Sequence, residues 1–138
     1  MNAECVIVDA NIAFKCLITG RGDLRERFGP GGYPQLFTPR FLFVELFKHK
    51  DRLVKSSGLP EDDLLAGLHT LLNQLTFVHE ADIPMGTWME AYRLCKGVDE
   101  NDTPYVALTL HMGGRFWTED GELKTGLVRR GFDRFFDL

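Results

Sequence analysis

A chain of 138 residues is long enough for one domain, expected to span residues 1–138, and needs neither a metal nor a disulfide merely to fold. Hydrophobic residues make up 44% and charged residues 26%, close to the averages of soluble globular proteins, which sets aside disorder and a membrane protein. The net charge of −4 argues against a broad basic surface for nucleic acid, so a polynucleotide would have to be drawn in by something else, such as a divalent cation held on carboxylates.

The N-terminus, Met1-Asn2-Ala3-Glu4, lacks the basic start of a signal peptide. The longest apolar stretch, Phe41-Leu42-Phe43-Val44-Glu45-Leu46-Phe47, is too short to cross a bilayer and carries an acid in its middle. The expected location is the cytoplasm, with no membrane partner. Cys5, Cys16 and Cys95 are odd in number, far apart and without CxxC spacing, as reduced core residues would be.

Val6-Ile7-Val8 is an unbroken β-branched run that ends on Asp9. It predicts a strand buried on both faces, and its carboxyl end is where an open parallel sheet binds ligands. Asp9 is also suited to cap the helix predicted over 11–18 and ended by Gly20. Residues 21–34 turn abruptly to Gly, Pro and charge, so they read as a surface loop placed to overhang the first strand's end. Arg21, Arg25 and Arg27 within it are candidate phosphate contacts or solvated charges.

Gln35-Leu36-Phe37-Thr38-Pro39 reads as a second strand, stopped by Pro39 before a helix that starts near Arg40 and runs to Ser57. Glu45 is the anomaly of that helix, because helical spacing sets it beside Phe41 and Leu42. Burying an ionised carboxylate is costly unless it is paired or bound to a metal, so Glu45 either pairs with Lys48 or His49 or joins other acids. Pro60-Glu61-Asp62-Asp63 opens another helix, followed by leucines at helical spacing. Thr76-Phe77-Val78-His79 reads as a third strand, and residues 88–96 as a helix ended by Gly97. His49, His69, His79 and His111 lack paired metal-ligand spacing and read as structural.

The acid-rich turn from Val98 through Asp99, Glu100 and Asp102 to Pro104 enters a helix over 105–112, with Asp102 placed as its N-cap. Arg115-Phe116-Trp117-Thr118 is a fourth strand running into Glu119-Asp120, as the first runs into Asp9. The C-terminal piece supplies a further helix turn and an edge strand. This alternation predicts an α/β domain, a three-layer α/β/α sandwich on a mainly parallel four- to five-stranded sheet. Asp9, Asp102 and Asp120 then gather at the carboxyl edge and Glu45 leans in from a neighbouring helix. Four such carboxylates stay ionised at neutral pH only beside cations, and hard oxygen ligands select Mg²⁺ or Mn²⁺ over zinc.

Four short motifs stand in this order: Val8-Asp9-Ala10-Asn11, Val44-Glu45-Leu46, Asp102-Thr103-Pro104-Tyr105-Val106-Ala107-Leu108 and Trp117-Thr118-Glu119-Asp120. Together they resemble the PIN-domain ribonucleases, including the VapC-type toxins of toxin-antitoxin pairs. The resemblance implies a metal-dependent endoribonuclease with Asp9, Glu45, Asp102 and Asp120 as its acidic, metal-holding quartet. Asn11 and Thr118 would orient the carboxylates or a water on the metal, and Asp99, one turn before Asp102, would share or replace its role. Glu119 and Glu122 fit less well, since a strand end that points Asp120 inward sends its neighbour elsewhere. RNA is the implied substrate, with Lys15, Arg40, Lys48 and Lys50 as phosphate contacts. An antitoxin is the implied partner, and small size with exposed aromatics points to a homodimer. The competing readings are a PIN-like interaction module without catalysis, a phosphotransfer enzyme with an Asp nucleophile, and an α/β domain whose acids are only caps and surface charges. The second would want an Asp where Asn11 stands.

Overall fold

Val6, Ile7 and Val8 are apolar on both faces of a strand, so they need a sheet covered by helices on both sides. The computed structural model, which describes residues 4–19, 21–28 and 32–137, buries all three completely. Strand β1 (Cys5–Val8) lies between β2 (Gln35–Pro39) and β4 (Arg115–Trp117), with β3 (Thr76–Val78) outside β2. Every pairing is parallel.

The connections make the layers. Helix α1 (Ala10–Thr19) returns β1 to β2, and α2 (Phe41–Lys48), α3 (Lys50–Ser57) and α4 (Glu61–Asn73) return β2 to β3. The chain then passes through α5 (Met85–Cys95) and α6 (Thr103–Met112) to reach β4 on the far side of β1. Right-handed crossovers put the first four helices on one face and the next two on the other. The packing agrees: α1 contacts α2, α3 and α4, while α6 contacts α5 and the sheet. Strand order therefore reverses between β1 and β4, and a parallel sheet opens a crevice at its carboxyl edge at such a point.

Several expectations shift in detail. The helix expected from near Arg40 to Ser57 is two helices, because His49 leaves the helical region (φ −107°, ψ 14°) and packs edge-on against Phe14. Helix α5 begins at Met85, where Pro84 supplies an N-cap position, rather than near Trp88. The C-terminal helix, α7 (Gly121–Arg129), is longer than a single turn. The expected edge strand reduces to one parallel bridge between Phe116 and Phe135, so the sheet has four strands among the described residues. Gly20, Gly29, Pro30 and Gly31 lie outside the described residues; α1 ends at Thr19. Cys16 and Cys95 are buried and Cys5 is half-buried.

The loop after α1 is an ordered 3-10 turn over Leu24–Arg27. Gln74 at the end of α4 accepts from the backbone N–H groups of Leu24 and Arg25 and donates to the Gly22 carbonyl. The turn docks on the end of β4: Arg27 pairs with Glu119 and lies over Trp117, and Phe28 packs edge-on against Trp117. Gly22 makes this approach possible, since it has φ +86° and a Cβ there would stand 1.8 Å from the Gly67 carbonyl oxygen. Gly22→Ala is expected to destabilise the fold by at least about 2 kcal/mol in urea unfolding. Gly86→Ala, with open space around its Cβ position on α5, should be neutral or slightly stabilising. Equal unfolding midpoints for the two variants would refute the account.

Candidate active site

Asp9 follows the last residue of β1 and is 1% exposed. One carboxylate oxygen accepts from the Ile12 N–H at 2.8 Å, so the side chain caps α1, as its position after the strand allows. The Thr118 hydroxyl also hydrogen-bonds the carboxylate. Register explains the second contact: Val8 stands opposite Trp117, so the next residues of the two strands, Asp9 and Thr118, lie side by side. Burial raises the Asp9 carboxyl to about 6; the two hydrogen bonds oppose that rise, and the charges of Glu45 and Asp120 add to it.

Asp120 sits at the same edge. Its backbone N–H donates to the Thr118 hydroxyl at 3.2 Å, and its carboxylate accepts from the Leu123 N–H at 3.1 Å, capping α7. The neighbouring Glu119 lies past the end of β4, is exposed, and is paired with Lys15 at 2.8 Å and with Arg27. Glu122 is exposed on α7.

Asp102 arrives from the opposite layer. It occupies the N-cap position of α6, yet its side chain makes no capping bond, contrary to the local expectation. The acid turn is a 3-10 helix over Glu100–Asp102, and Asp99 caps it by accepting from the Asn101 N–H at 3.0 Å. Burial raises the Asp102 carboxyl to about 8, with further contributions from the charges of Asp99, Asp9 and Glu45 and a hydrogen bond with Asp99. Asp99 therefore belongs to the same group of acids.

Glu45 is half-buried on α2. Burial raises its pKa; His49 and Lys48 lower it electrostatically, while Asp99 raises it. Its hydrogen-bond partner is the Tyr105 hydroxyl, at 2.6 Å, and neither expected cation forms an ion pair with it among the described residues. Tyr105 is fully buried and was not singled out from the sequence. Its position three residues after Asp102 places both on one helix face, and a buried tyrosine hydroxyl requires a partner. Helix α2 starts without a cap of its own; the Glu80 carboxylate accepts from the Arg40 and Phe41 N–H groups at 3.1 and 2.9 Å and so fixes the N-terminal end of the helix that carries Glu45.

The remaining candidates lie outside this group. Asn11 is exposed in the first turn of α1. Lys15 is committed to Glu119, and Lys50 to Glu61 at 3.1 Å. Arg40 and Lys48 are exposed at the two ends of α2. Arg25 pairs with Asp23.

Carboxylates driven to retain protons by burial and mutual repulsion will take a cation in their place, and a set made only of carboxylate oxygens suits Mg²⁺ or Mn²⁺. Among the described residues no three His, Cys, Asp or Glu side chains already close on one point as a ready-made cage. The donor chemistry fits a divalent ion, and Asp9 and Asp120 each keep one carboxylate oxygen engaged by a helix N-terminus.

A four-stranded parallel sheet covered by helices on both faces, with Asp9 buried at its switch point, is an α/β/α sandwich. A PIN-domain family model matches residues 7–135, and the chain belongs to that family. PIN domains are generally nucleases and typically use divalent metals. No individual curated protein matches the chain significantly. Among the described residues no helix is long and apolar enough to cross a membrane.

The acids set a pH dependence. A carboxyl whose folded pKa exceeds its unfolded value holds a proton that the unfolded chain has released, so stability falls as pH rises between the two values. For Asp9 that window runs from 3.8 to about 6, and for Asp102 from 3.8 to about 8. The protein in EDTA should therefore lose melting temperature between about pH 5 and about pH 8. Asp102→Asn should flatten the decline and melt several degrees above the parent at the upper end. Calorimetry showing identical profiles for the two proteins would sink this account.

Proposed function

We propose that residues 1–138 form one nuclease domain that hydrolyses RNA phosphodiester bonds with Mg²⁺ or Mn²⁺ held by Asp9, Glu45, Asp102 and Asp120. The observation that carries this reading is the burial of Asp9 in mutual repulsion with Glu45, Asp120 and Asp102 at the sheet's switch point. Asp99, bonded to Asp102, shares that residue's place in the site. A bound divalent ion supplies a water ionised near neutral pH and stabilises charge on the phosphate oxygens. The chain contributes position. Thr118 ties the Asp9 carboxylate to the Asp120 backbone, and the cap bonds to Ile12 and Leu123 stop the two aspartates from rotating. Tyr105 holds Glu45 toward the acids despite their repulsion. No side-chain nucleophile is required. Arg40 and Lys48, exposed on α2, remain available for phosphate, whereas Lys15 must first leave Glu119.

A noncatalytic interaction module has no use for this repulsion, which lowers stability without return. Protein partners belong to the same proposal: an antitoxin, a second copy of the chain, and a cytoplasmic toxin role. Phe47 and Leu65, 68% and 50% exposed, support a protein partner because they border an apolar groove of about 100 Å³ between α2, α3 and α4.

Purified protein is expected to cleave RNA when Mn²⁺ or Mg²⁺ is added and to stop with EDTA. Asp9→Asn and Asp120→Asn should abolish cleavage while preserving the fold, since Asn also caps helices. Cleavage that survives both substitutions would falsify the assignment. Tyr105→Phe leaves every carboxylate in place and should lower the rate by about 10- to 100-fold, the range found when the partner of a metal-holding group is lost. An unchanged rate in Tyr105→Phe would remove Tyr105 from the site.

A further inference from the structure

Helix α7 and the turn after α5 enclose a cleft of about 870 Å³ that none of the site residues lines. One wall is α7, with Gly121, Thr125 and Arg129 in line and Glu122 beside them near the acid end; the other is Gly97-Val98. The cleft is built rather than left over. Gly126 lets α7 approach the turn, since a Cβ there would stand 2.6 Å from Val98 Cγ1. Arg130 bridges the walls by donating to the Arg93 carbonyl oxygen at 3.0 Å.

Two features fix what the cleft would take. Its walls run directly into the acids, because Val98 precedes Asp99 and Gly121 follows Asp120. Its far end carries Arg129, which is exposed and has no acceptor among the described residues, unlike Lys124, paired with Asp137, and Arg130. From Gly121 to Arg129 the helix rises about 12 Å, the length of three to four stacked nucleotides at about 3.4 Å each. Gly97, Val98, Gly121, Thr125 and Gly126 offer no aromatic face for stacking a base, so contact along this wall falls on the sugar-phosphate backbone.

We propose that this cleft carries one flank of a single RNA strand away from the carboxylates, with Arg129 as its phosphate contact. The inference rests on the nuclease reading and deepens it: one flank of the substrate is held electrostatically and without sequence preference. The basic residues that the family resemblance offers for phosphate, Lys15, Arg40, Lys48 and Lys50, lie on α1, at the two ends of α2 and on α3 instead.

The experiment measures anisotropy of a short fluorescent single-stranded oligoribonucleotide on Asp9→Asn protein with Mn²⁺ over a salt series, alongside wild-type cleavage. Adding Arg129→Ala is expected to weaken binding several-fold and to lower the slope of log affinity against log salt by about 0.7, one phosphate contact on a single strand. Arg129→Lys should restore the slope, and Thr125→Glu, which adds a second acid to the cleft beyond Glu122 and closer to Arg129, should weaken binding as well. Lys55→Ala, an exposed lysine of α3, should change neither quantity. Unchanged slopes in Arg129→Ala and unchanged affinity in Thr125→Glu would overturn the cleft while leaving the nuclease reading intact, as would equal losses in Lys55→Ala. Absence of oligonucleotide binding by the Asp9→Asn protein would also overturn it. If wild type cleaves no RNA but the Arg129 slope change is present, the nuclease reading falls and the cleft stands as a binding path.

Discussion

The constraint on which the structure depends is the burial of the Asp9 carboxylate at the end of a fully buried strand. Taking a carboxylate out of water is expensive unless its oxygens are satisfied. Here the Ile12 N–H and the Thr118 hydroxyl satisfy them, and both require the surrounding fold. The first needs α1 to begin directly after β1. The second needs β4 beside β1 in the observed register, which in turn needs the chain to cross the sheet through α5 and α6. That same crossing delivers Asp102 and Tyr105 to the edge where Asp9 and Glu45 stand. The sheet order is thus what turns scattered acids into one group.

Several cations near those acids are committed to other carboxylates. Lys15 and Arg27 neutralise Glu119, Arg25 neutralises Asp23, and Lys50 neutralises Glu61. Such exposed pairs contribute about 1 kcal/mol or less to stability. Their larger effect is to turn Glu119 away from the crevice and to dock the 3-10 turn on β4. Lys48 and His49 favour the charged form of Glu45, though less than burial and the Tyr105 bond affect it. A net negative protein that is to hold a polyanion therefore needs its neutralising charge from outside at this edge, and from Arg129 farther along α7.

Much of this was legible in the chain because strong signals coincide. The run Val6-Ile7-Val8 has one stable placement, and an acid after each of two strands reads directly as a crevice residue. Glu45 drew attention because a carboxylate among phenylalanines contradicts its surroundings. What escaped had weak local signals. Leu42, Leu46 and Leu53 keep one helical phase across the polar stretch from Lys48 to Arg52, so the break between α2 and α3, where His49 packs on Phe14, is not contained in periodicity. Helix α7 has two glycines and only Leu123 and Leu127 buried, a stripe too narrow to mark its length. Nothing local gives Tyr105 a polar partner, which lies 60 residues away at Glu45. The same applies to Arg129, whose interest lies in the distant turn it faces.

Asp9 and Asp120 also resolve a choice that sequence reasoning leaves open, between a helix cap and a site residue. Each is both. One oxygen of each carboxylate accepts from a helix N–H three residues on, and the helix N-terminus favours negative charge there by about 0.3–1 kcal/mol. Burial above all, with a smaller push from the neighbouring acids, drives Asp9 the other way, to about 6, so the cost of desolvation exceeds what the cap returns. A residue kept only as a cap would be better served by Asn or Ser, which accept the same bond without the charge. Retaining a carboxylate at such a position makes physical sense where a cation joins the acids, since only then does the charge stabilise the edge it otherwise strains.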